Sequence, residues 1–275
     1  MSLEQIIILS IIQGITEFLP ISSSGHLAMV PHLTSWPDQG IMSDVALHFG
    51  SLIAVVIYFH RDMVKLFSGM IDVFRGKSTQ NRSLFLILAL STVPVFVVGY
   101  ILKKSGYIDN LRSLEVIAWA NIIFAIFLYI FDKIGKQIRS VESLTIKDAV
   151  LIGLAQCIAL IPGSSRSGTT MTMGRLLGFK RDEAARFSML MSIPTILGAS
   201  ALLLIDLSKE TNVSIQSDAL LMAALSFVVA FISIWGLMAM LKRMSMTPFV
   251  IYRLVLGAAL IAFIYKDQWL PMVTG

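Results

Sequence analysis

Residues 13–26 read QGITEFLPISSSGH, and residues 156–169 read QCIALIPGSSRSGT. Each segment is apolar up to a proline and then breaks into a loop of serine and glycine. Each lies in a longer apolar stretch, 3–30 or 148–178, whose halves are too short to cross a bilayer alone. Interrupted segments in matching positions of two halves are typical of re-entrant helix–loop–helix hairpins. Non-helical backbone at membrane depth is tolerated only inside protein or beside a watery cavity, so the two loops mark the predicted site.

The surrounding sequence is that of a membrane protein. Hydrophobic residues make up 56% of the 275 residues and charged residues only 14%, whereas a soluble domain carries roughly a quarter charged residues. Six apolar runs approach the length of a membrane-spanning helix: 44–60, 83–102, 114–131, 187–205, 219–241 and 247–265. The sequence therefore predicts an all-α integral membrane protein with about six transmembrane helices plus two re-entrant hairpins.

Composition also excludes several classes of protein. The single cysteine, Cys157, allows no disulfide framework within the chain. The start of the sequence has no basic segment and no small-residue cleavage site, so we predict no removable signal peptide. The net charge of +5 indicates membrane topology rather than nucleic-acid binding, because the basic residues lie in short loops beside apolar runs.

The basic residues of the loops divide 14 to 5 between the two sides of the membrane. By the positive-inside rule, the richer side, which includes loops 61–82 and 132–147, is cytoplasmic. The first hairpin then enters from the outer face and the second from the inner face. This predicts one membrane domain, 1–275, built as an inverted repeat of approximately 1–135 and 145–275; two similar helix breakers are the alternative. The pair Lys103 and Lys104 falls on the outer side, against the bias.

Ionisable residues at a helix centre cost about 2.5–3.5 kcal/mol each on insertion scales, so those in the first hairpin need a reason. Gln13 and Glu17 are four residues apart and share a helix face. Their hard oxygen atoms suit Mg²⁺ or Ca²⁺; the alternative is a polar pair that joins two helices.

Ser23 precedes His26 by three residues, which suits a nucleophile with its general base nearby. The alternative there is a bend with a helix-capping serine.

The loop of the second hairpin predicts an anion site. Its glycines and serines, here Ser165, Ser167 and Gly168, let backbone N–H groups turn toward an anion at the start of a helix. Arg166 adds a two-pronged cation suited to phosphate. Arg175, ten residues or so further on, is better explained as a side chain that reaches out to the lipid headgroups.

Together the hairpins supply a carboxylate, a hydroxyl, an imidazole and an anion site, which is the set that metal-assisted phosphoryl transfer needs. A catalytic site inside a bilayer implies a lipid phosphate or diphosphate as substrate. A transporter or lipid flippase is the alternative, because broken helices and midplane polar loops are usual in transporters. A scaffold without activity does not explain the buried charges.

At these motifs the chain resembles the undecaprenyl-diphosphate phosphatase family, the bacitracin-resistance proteins. The first family motif, Glu/Gln-x-x-x-Glu followed by Pro-x-Ser-Ser-x-Gly-His, matches Gln13, Glu17, Pro20, Ser22, Ser23, Gly25 and His26. The second, Pro-Gly-x-Ser-Arg-Ser-Gly-x-Thr, matches Pro162, Gly163, Ser165, Arg166, Ser167, Gly168 and Thr170. The stretches 44–51 and 248–253 also resemble family sequence.

The resemblance implies a multi-pass enzyme of the bacterial inner membrane that needs a divalent cation, Mg²⁺ or Ca²⁺. It implies hydrolysis of a C55 polyprenyl diphosphate to the monophosphate, which recycles the lipid carrier for cell-wall synthesis and confers bacitracin resistance. The partners are then the lipid substrate and the bilayer, with a homodimer as a candidate assembly. The order of the hairpins favours an active site that faces the outer, periplasmic side. The residues implied as active-site residues are Glu17, Ser23, His26, Arg166 and Thr170.

Overall fold

The computed structural model describes residues 1–34, 36–106, 111, 113–209 and 213–266, without the side chains of 199 and 201–215. Within these ranges the chain forms α1 Leu3–Thr16, α2 Ser23–Leu33, α3 Gly40–Tyr58, α4 His60–Phe74, α5 Gln80–Ser105, α6 Leu114–Ile134, α7 Ile146–Cys157, α8 Arg166–Leu176, α9 Arg181–Lys209, α10 Val213–Leu241 and α11 Thr247–Ile264. Short 3₁₀ turns occupy Val141–Ser143 and Ile158–Leu160. The described part contains no β-strand, so the all-α prediction is confirmed.

Five of these helices are long and apolar enough to cross a membrane, namely α3, α5, α6, α10 and α11. They coincide with five of the six predicted spans. The sixth predicted span, 187–205, lies within α9, part of whose side chains fall outside the description. Many large apolar side chains on these helices face outward, such as Ile232 and Trp235, as expected of helices that meet lipid.

Both predicted hairpins are present as broken helices. The chain leaves α1 after Thr16 and re-forms a helix at Ser23, and it leaves α7 after Cys157 and re-forms one at Arg166. The two arms pack against each other in both cases, α1 on α2 and α7 on α8. Each first arm also packs on a long helix of the other half, α1 on α10 and α7 on α5. The inverted repeat itself stays a prediction.

Helices α3 and α10 cross with their backbones in close contact at Gly50. A Cβ atom added there would overlap the carbonyl of Ala223. Ser51, one residue on, shares a buried hydrogen bond of 2.9 Å with Ser226. Small residues at a helix crossing let the backbones approach closely, and hydroxyl pairs then join the helices. This crossing holds α3, and with it the wall of the cavity described below.

A buried ion cluster ties down the far end of α8. Arg175 has no exposed side-chain surface, and its Nε donates to Asp132 Oδ1 over 3.0 Å. Arg181 donates to the same oxygen over 2.7 Å, and Arg175 also donates to the carbonyl of Gly135 over 2.7 Å. The expectation that Arg175 reaches the headgroups is therefore wrong, because local carbonyl and carboxylate oxygens satisfy its guanidinium inside the protein.

Candidate active site

The two hairpin loops have the same local geometry. Ser22 and Ser165 have φ angles of 74° and 72°, and among the described residues they alone adopt positive φ without being glycine. Each caps the helix that follows: Ser22 Oγ accepts from the Gly25 amide over 3.3 Å, and Ser165 Oγ accepts from the Gly168 amide over 3.0 Å. Strained backbone of this kind costs about 1–3 kcal/mol and persists only where the surroundings enforce it.

Arg253 on α11 joins the two loops. Its side chain is fully buried, and its Nη1 donates to the carbonyl of Pro20 over 3.2 Å. Its Nη2 donates to the carbonyls of Gly163 and Ser164 over 2.9 and 3.0 Å. One guanidinium therefore satisfies carbonyls that both breaks leave without helical partners. The loops are thus held side by side by a group that belongs to neither hairpin.

An ion pair between the hairpins lies at the centre of the site. Arg166 Nη2 donates to Glu17 Oε1 over 2.6 Å. Ser23 Oγ donates to the other carboxylate oxygen, Glu17 Oε2, over 2.6 Å. The arrangement thus brings together a guanidinium, which is chemically suited to phosphate, a hydroxyl group and a carboxylate that already accepts the hydrogen bond of that hydroxyl.

This cluster lies at the wall of a cavity of about 730 Å³. The polar residues that line it are Glu17, Ser22, Ser23, Ser24, Asp44, His48, Lys103, Ser165, Arg166, Thr195 and Ser200. The lining is completed by Ile41, Val45, Gly106, Ala159 and Ile196. A mixed lining of this size has room for a charged headgroup and the first part of an apolar chain.

The other predicted phosphate-binding residues lie behind the cavity wall. Ser167 Oγ donates to the carbonyl of Leu19 over 2.8 Å, which adds a second link between the loops. Thr170 Oγ1 bonds to the carbonyl of Arg166 over 2.8 Å and to the Ser188 hydroxyl over 2.7 Å. Of the predicted set, Ser165 and Arg166 line the cavity. In this conformation the rest shape the loop and the start of α8.

His26 is close in sequence to Ser23 but does not line the cavity. Its Nδ1 bonds to the carbonyl of Ser22 over 2.7 Å, and its Nε2 bonds to the hydroxyl of Tyr252 over 2.5 Å. A carbonyl only accepts, so Nδ1 carries a proton and the neutral ring accepts from Tyr252 at Nε2. The imidazole thus links the first loop to α11, and its predicted role in proton transfer stays a prediction.

Comparison with known proteins agrees with the motifs. Residues 6–259 match the family described as "Bacitracin resistance protein BacA". The chain belongs to this family. The BacA resemblance drawn from the two loop motifs is therefore confirmed, and the match includes both hairpins and most of α11.

Curated relatives are similar over their whole length. A protein from Roseobacter denitrificans is 46% identical over 267 residues, which is 97% of this chain and 100% of the relative. One from Dinoroseobacter shibae is 44% identical with the same coverage, and one from Alteromonas mediterranea is 46% identical over 268 residues, covering 96% of this chain and 100% of the relative. All three are named undecaprenyl-diphosphatase.

In this BacA family member the cavity also contains an imidazole that the sequence reasoning did not assign. His48 on α3 places Nε2 3.5 Å from Glu17 Oε2, while its Nδ1 bonds to the carbonyl of Asp44 over 2.7 Å. The only sequence signal was that stretch 44–51 resembles the family. Neither its spacing nor its composition distinguishes His48 from a polar residue within a span.

The predicted cation ligands fit a hard divalent ion through oxygen atoms. Gln13 is fully buried beside Glu17, and its Nε2 donates to Glu17 Oε2 over 3.1 Å. Its Oε1 is buried and has no partner in the described part of the chain. That part holds no cluster of three His, Cys, Asp or Glu side chains able to bind a metal. Mg²⁺ is usually held by one or two carboxylates together with substrate phosphates and water, so the carboxylate of Glu17 fits such an ion, whereas Gln13 turns Nε2 rather than Oε1 toward that carboxylate and does not line the cavity.

Gly163 should be intolerant of a side chain. Its φ is +91°, and a Cβ atom there would lie 2.6 Å from the carbonyl oxygen of Ile117. We expect Gly163→Ala to destabilise the purified protein by about 1–3 kcal/mol because the backbone is strained. Gly236 lies in α10, and a Cβ atom added there would meet no atom within 4 Å. Gly236→Ala should therefore stabilise the purified protein by about 0.5–1 kcal/mol. Thermal unfolding in detergent measures both; equal melting temperatures would contradict the loop geometry.

Proposed function

We propose that this protein is an undecaprenyl-diphosphatase, which hydrolyses a C55 polyprenyl diphosphate to the monophosphate and inorganic phosphate. The observation that supports this most is the group formed by Glu17, Arg166 and Ser23 at the wall of one cavity. The names of its full-length relatives point to the same reaction.

Arg166 is the group that binds the terminal phosphate. Its guanidinium already pairs with Glu17 over 2.6 Å and lies over the ring of Phe18 at 5.8 Å from the centroid. A phosphate that enters the cavity offers a second anionic partner with the same fork-shaped geometry. Arg166 then neutralises charge on the terminal phosphate, and Glu17 becomes free to act as a base.

Ser23 is the proposed nucleophile. Its hydroxyl already points at Glu17 Oε2, so the carboxylate can take the proton as Oγ attacks the terminal phosphorus. The new bond joins Oγ to phosphorus, and the bond that breaks joins phosphorus to the bridging oxygen. The electron pair of that bond leaves with the lipid monophosphate.

The phosphoserine is then hydrolysed by water. The water oxygen bonds to phosphorus, both protons of the water stay with the phosphate that forms, and the bond from phosphorus to Ser23 Oγ breaks. The serine oxygen regains its proton from Glu17, and inorganic phosphate leaves. A water that attacks directly, without phosphoserine, is the alternative, and His26 is the alternative acceptor of the phosphoryl group. In this conformation both His26 nitrogens are already bonded.

A divalent cation, Mg²⁺ or Ca²⁺, completes the proposed site. Glu17 would hold it, with Gln13 through the otherwise unpartnered Oε1. When bound, the ion supplies charge neutralisation at the phosphoryl oxygens. Gln13 in place of a second carboxylate leaves the ligand set with one fewer negative charge, so we expect a weakly held ion.

The substrate reaches the cavity from the bilayer of the bacterial inner membrane, on its outer side. The cavity is lined by residues near the start of α3 and the end of α5, including Asp44 and Lys103. Those helix ends lie opposite the basic loops that the positive-inside rule places in the cytoplasm. The cavity is built from one chain and does not require a second copy, so the homodimer stays a prediction.

Replacing Arg166 tests the function directly. We expect Arg166→Ala to lower phosphate release from C55 diphosphate by a factor of at least about 10², because the phosphate loses its fork-shaped partner. Arg166→Lys keeps the charge and the pair with Glu17, so it should fold normally and retain intermediate activity. Phosphate release by purified protein in detergent, where no second compartment exists, also separates hydrolysis from transport. Full turnover by Arg166→Ala rules the proposal out.

Removal of divalent ions tests the cation separately. Excess EDTA should stop phosphate release, and added Mg²⁺ or Ca²⁺ should restore it, because the terminal phosphate would otherwise keep uncompensated charge. Glu17→Gln should remain inactive at every cation concentration. Undiminished activity in EDTA would remove the cation from the proposal while leaving the roles of Arg166 and Ser23 in place.

A further inference from the structure

Two lysines at the end of α5 do not follow the charge distribution that the predicted membrane topology would give. Lys103 and Lys104 lie in the last turn of α5, on the side that the charge bias predicts to be poor in basic residues. The structure separates the two: Lys103 lines the same cavity as the Glu17 and Arg166 pair, and Lys104 does not. Topology alone gives no reason for a cation at that place.

The geometry of α5 explains which lysine faces the cavity. Gly99 lies one turn before Lys103, so both are on the same face of the helix. A Cβ atom at Gly99 would lie 3.7 Å from Leu160, which belongs to the second hairpin. Gly106, which ends the helix on that face, also lines the cavity. Lys104 is rotated by about 100° from Lys103, which turns it away from the hairpin.

The charges of the lining show what Lys103 contributes. Two carboxylates, Glu17 and Asp44, are matched by two cations, Lys103 and Arg166. Arg166 is already paired with Glu17 over 2.6 Å. Lys103 is exposed and makes no ion pair with another residue that the structure describes. Lys103 thus adds to the lining a positive charge that is available to an anionic headgroup.

We propose that Lys103 binds the phosphate that stays on the lipid, which makes it a specificity residue for the prenyl phosphate headgroup. This rests on the proposed function. The terminal phosphate has to reach Ser23 and Arg166 at the wall of the cavity, so the second phosphate, one bridging oxygen away, lies further out. A lysine at the edge of the cavity, with a flexible stem and a compact charge, can follow that phosphate.

The contact is present before and after the bond to the terminal phosphate breaks. Lys103 therefore stabilises bound substrate, and it stabilises the transition state at least as much, because the electron pair of the breaking bond moves onto this phosphate; its loss raises KM and lowers kcat/KM by at least the same factor. The lipid monophosphate keeps the same phosphate, so its binding depends on Lys103 as well. Inorganic phosphate lacks the ester phosphate, and its binding does not.

The test compares Lys103→Gln with Lys104→Gln in the full-length protein. Both variants lose one exposed charge from adjacent positions, so folding and surface charge are matched. We expect Lys103→Gln to raise KM for C55 diphosphate at least about tenfold, and to lower kcat/KM by at least that factor, as for loss of one charged hydrogen bond. Binding of C55 monophosphate, measured without turnover, should weaken by the same factor. Lys104→Gln should match the natural protein in both measurements.

Equal effects of the two variants, or an unchanged KM in Lys103→Gln, would overturn the role of Lys103. A natural protein that binds C55 monophosphate but releases no phosphate would end the proposed function instead. In that case the binding comparison still decides the inference, because a loss confined to Lys103→Gln supports it. A loss of binding in neither variant contradicts it.

Discussion

The fold and the site both depend on the need to pair charges that lie among apolar helices. Glu17 and Arg166 come from two different hairpins, and each would be costly at membrane depth without a partner. Their ion pair of 2.6 Å removes that cost only if the two loops meet. The same bond places Arg166 at the cavity and leaves Glu17 Oε2 facing Ser23. One constraint therefore assembles the hairpins and prepares the chemistry.

A second set of contacts lets this ion pair open without separating the loops. Arg253 bonds to carbonyls of both breaks, and Ser167 bonds across to Leu19. None of these bonds involves Glu17 or Arg166. Arg166 can therefore exchange its carboxylate for a phosphate while the loops stay in place, as preorganised electrostatic catalysis requires. The strained Ser22 and Ser165 caps belong to this rigid frame.

The sequence predicted the site wherever a polar or charged residue interrupted an apolar run. Glu17 and Arg166 stood out because charged residues interrupt apolar runs, and the proline breaks located both hairpins. The direction in which each polar side chain points could not be predicted from the sequence in the same way. His26 bonds to Tyr252, and the buried Arg175 bonds to oxygens of Asp132, Gly135 and Lys136, about 40 residues earlier in the chain. His48 was missed because its neighbour in space, Glu17, belongs to another helix.

The most direct test of the central claim is a double-mutant cycle on the ion pair between the hairpins. The free energy of unfolding in detergent would be measured for Glu17→Gln, Arg166→Gln and the double variant. If the two groups pair as described, each single change strands a buried charge, and the double variant loses less stability than the sum of the singles, with a coupling of about 0.5–3 kcal/mol. Strictly additive losses would contradict the account, because they would mean that Glu17 and Arg166 do not interact.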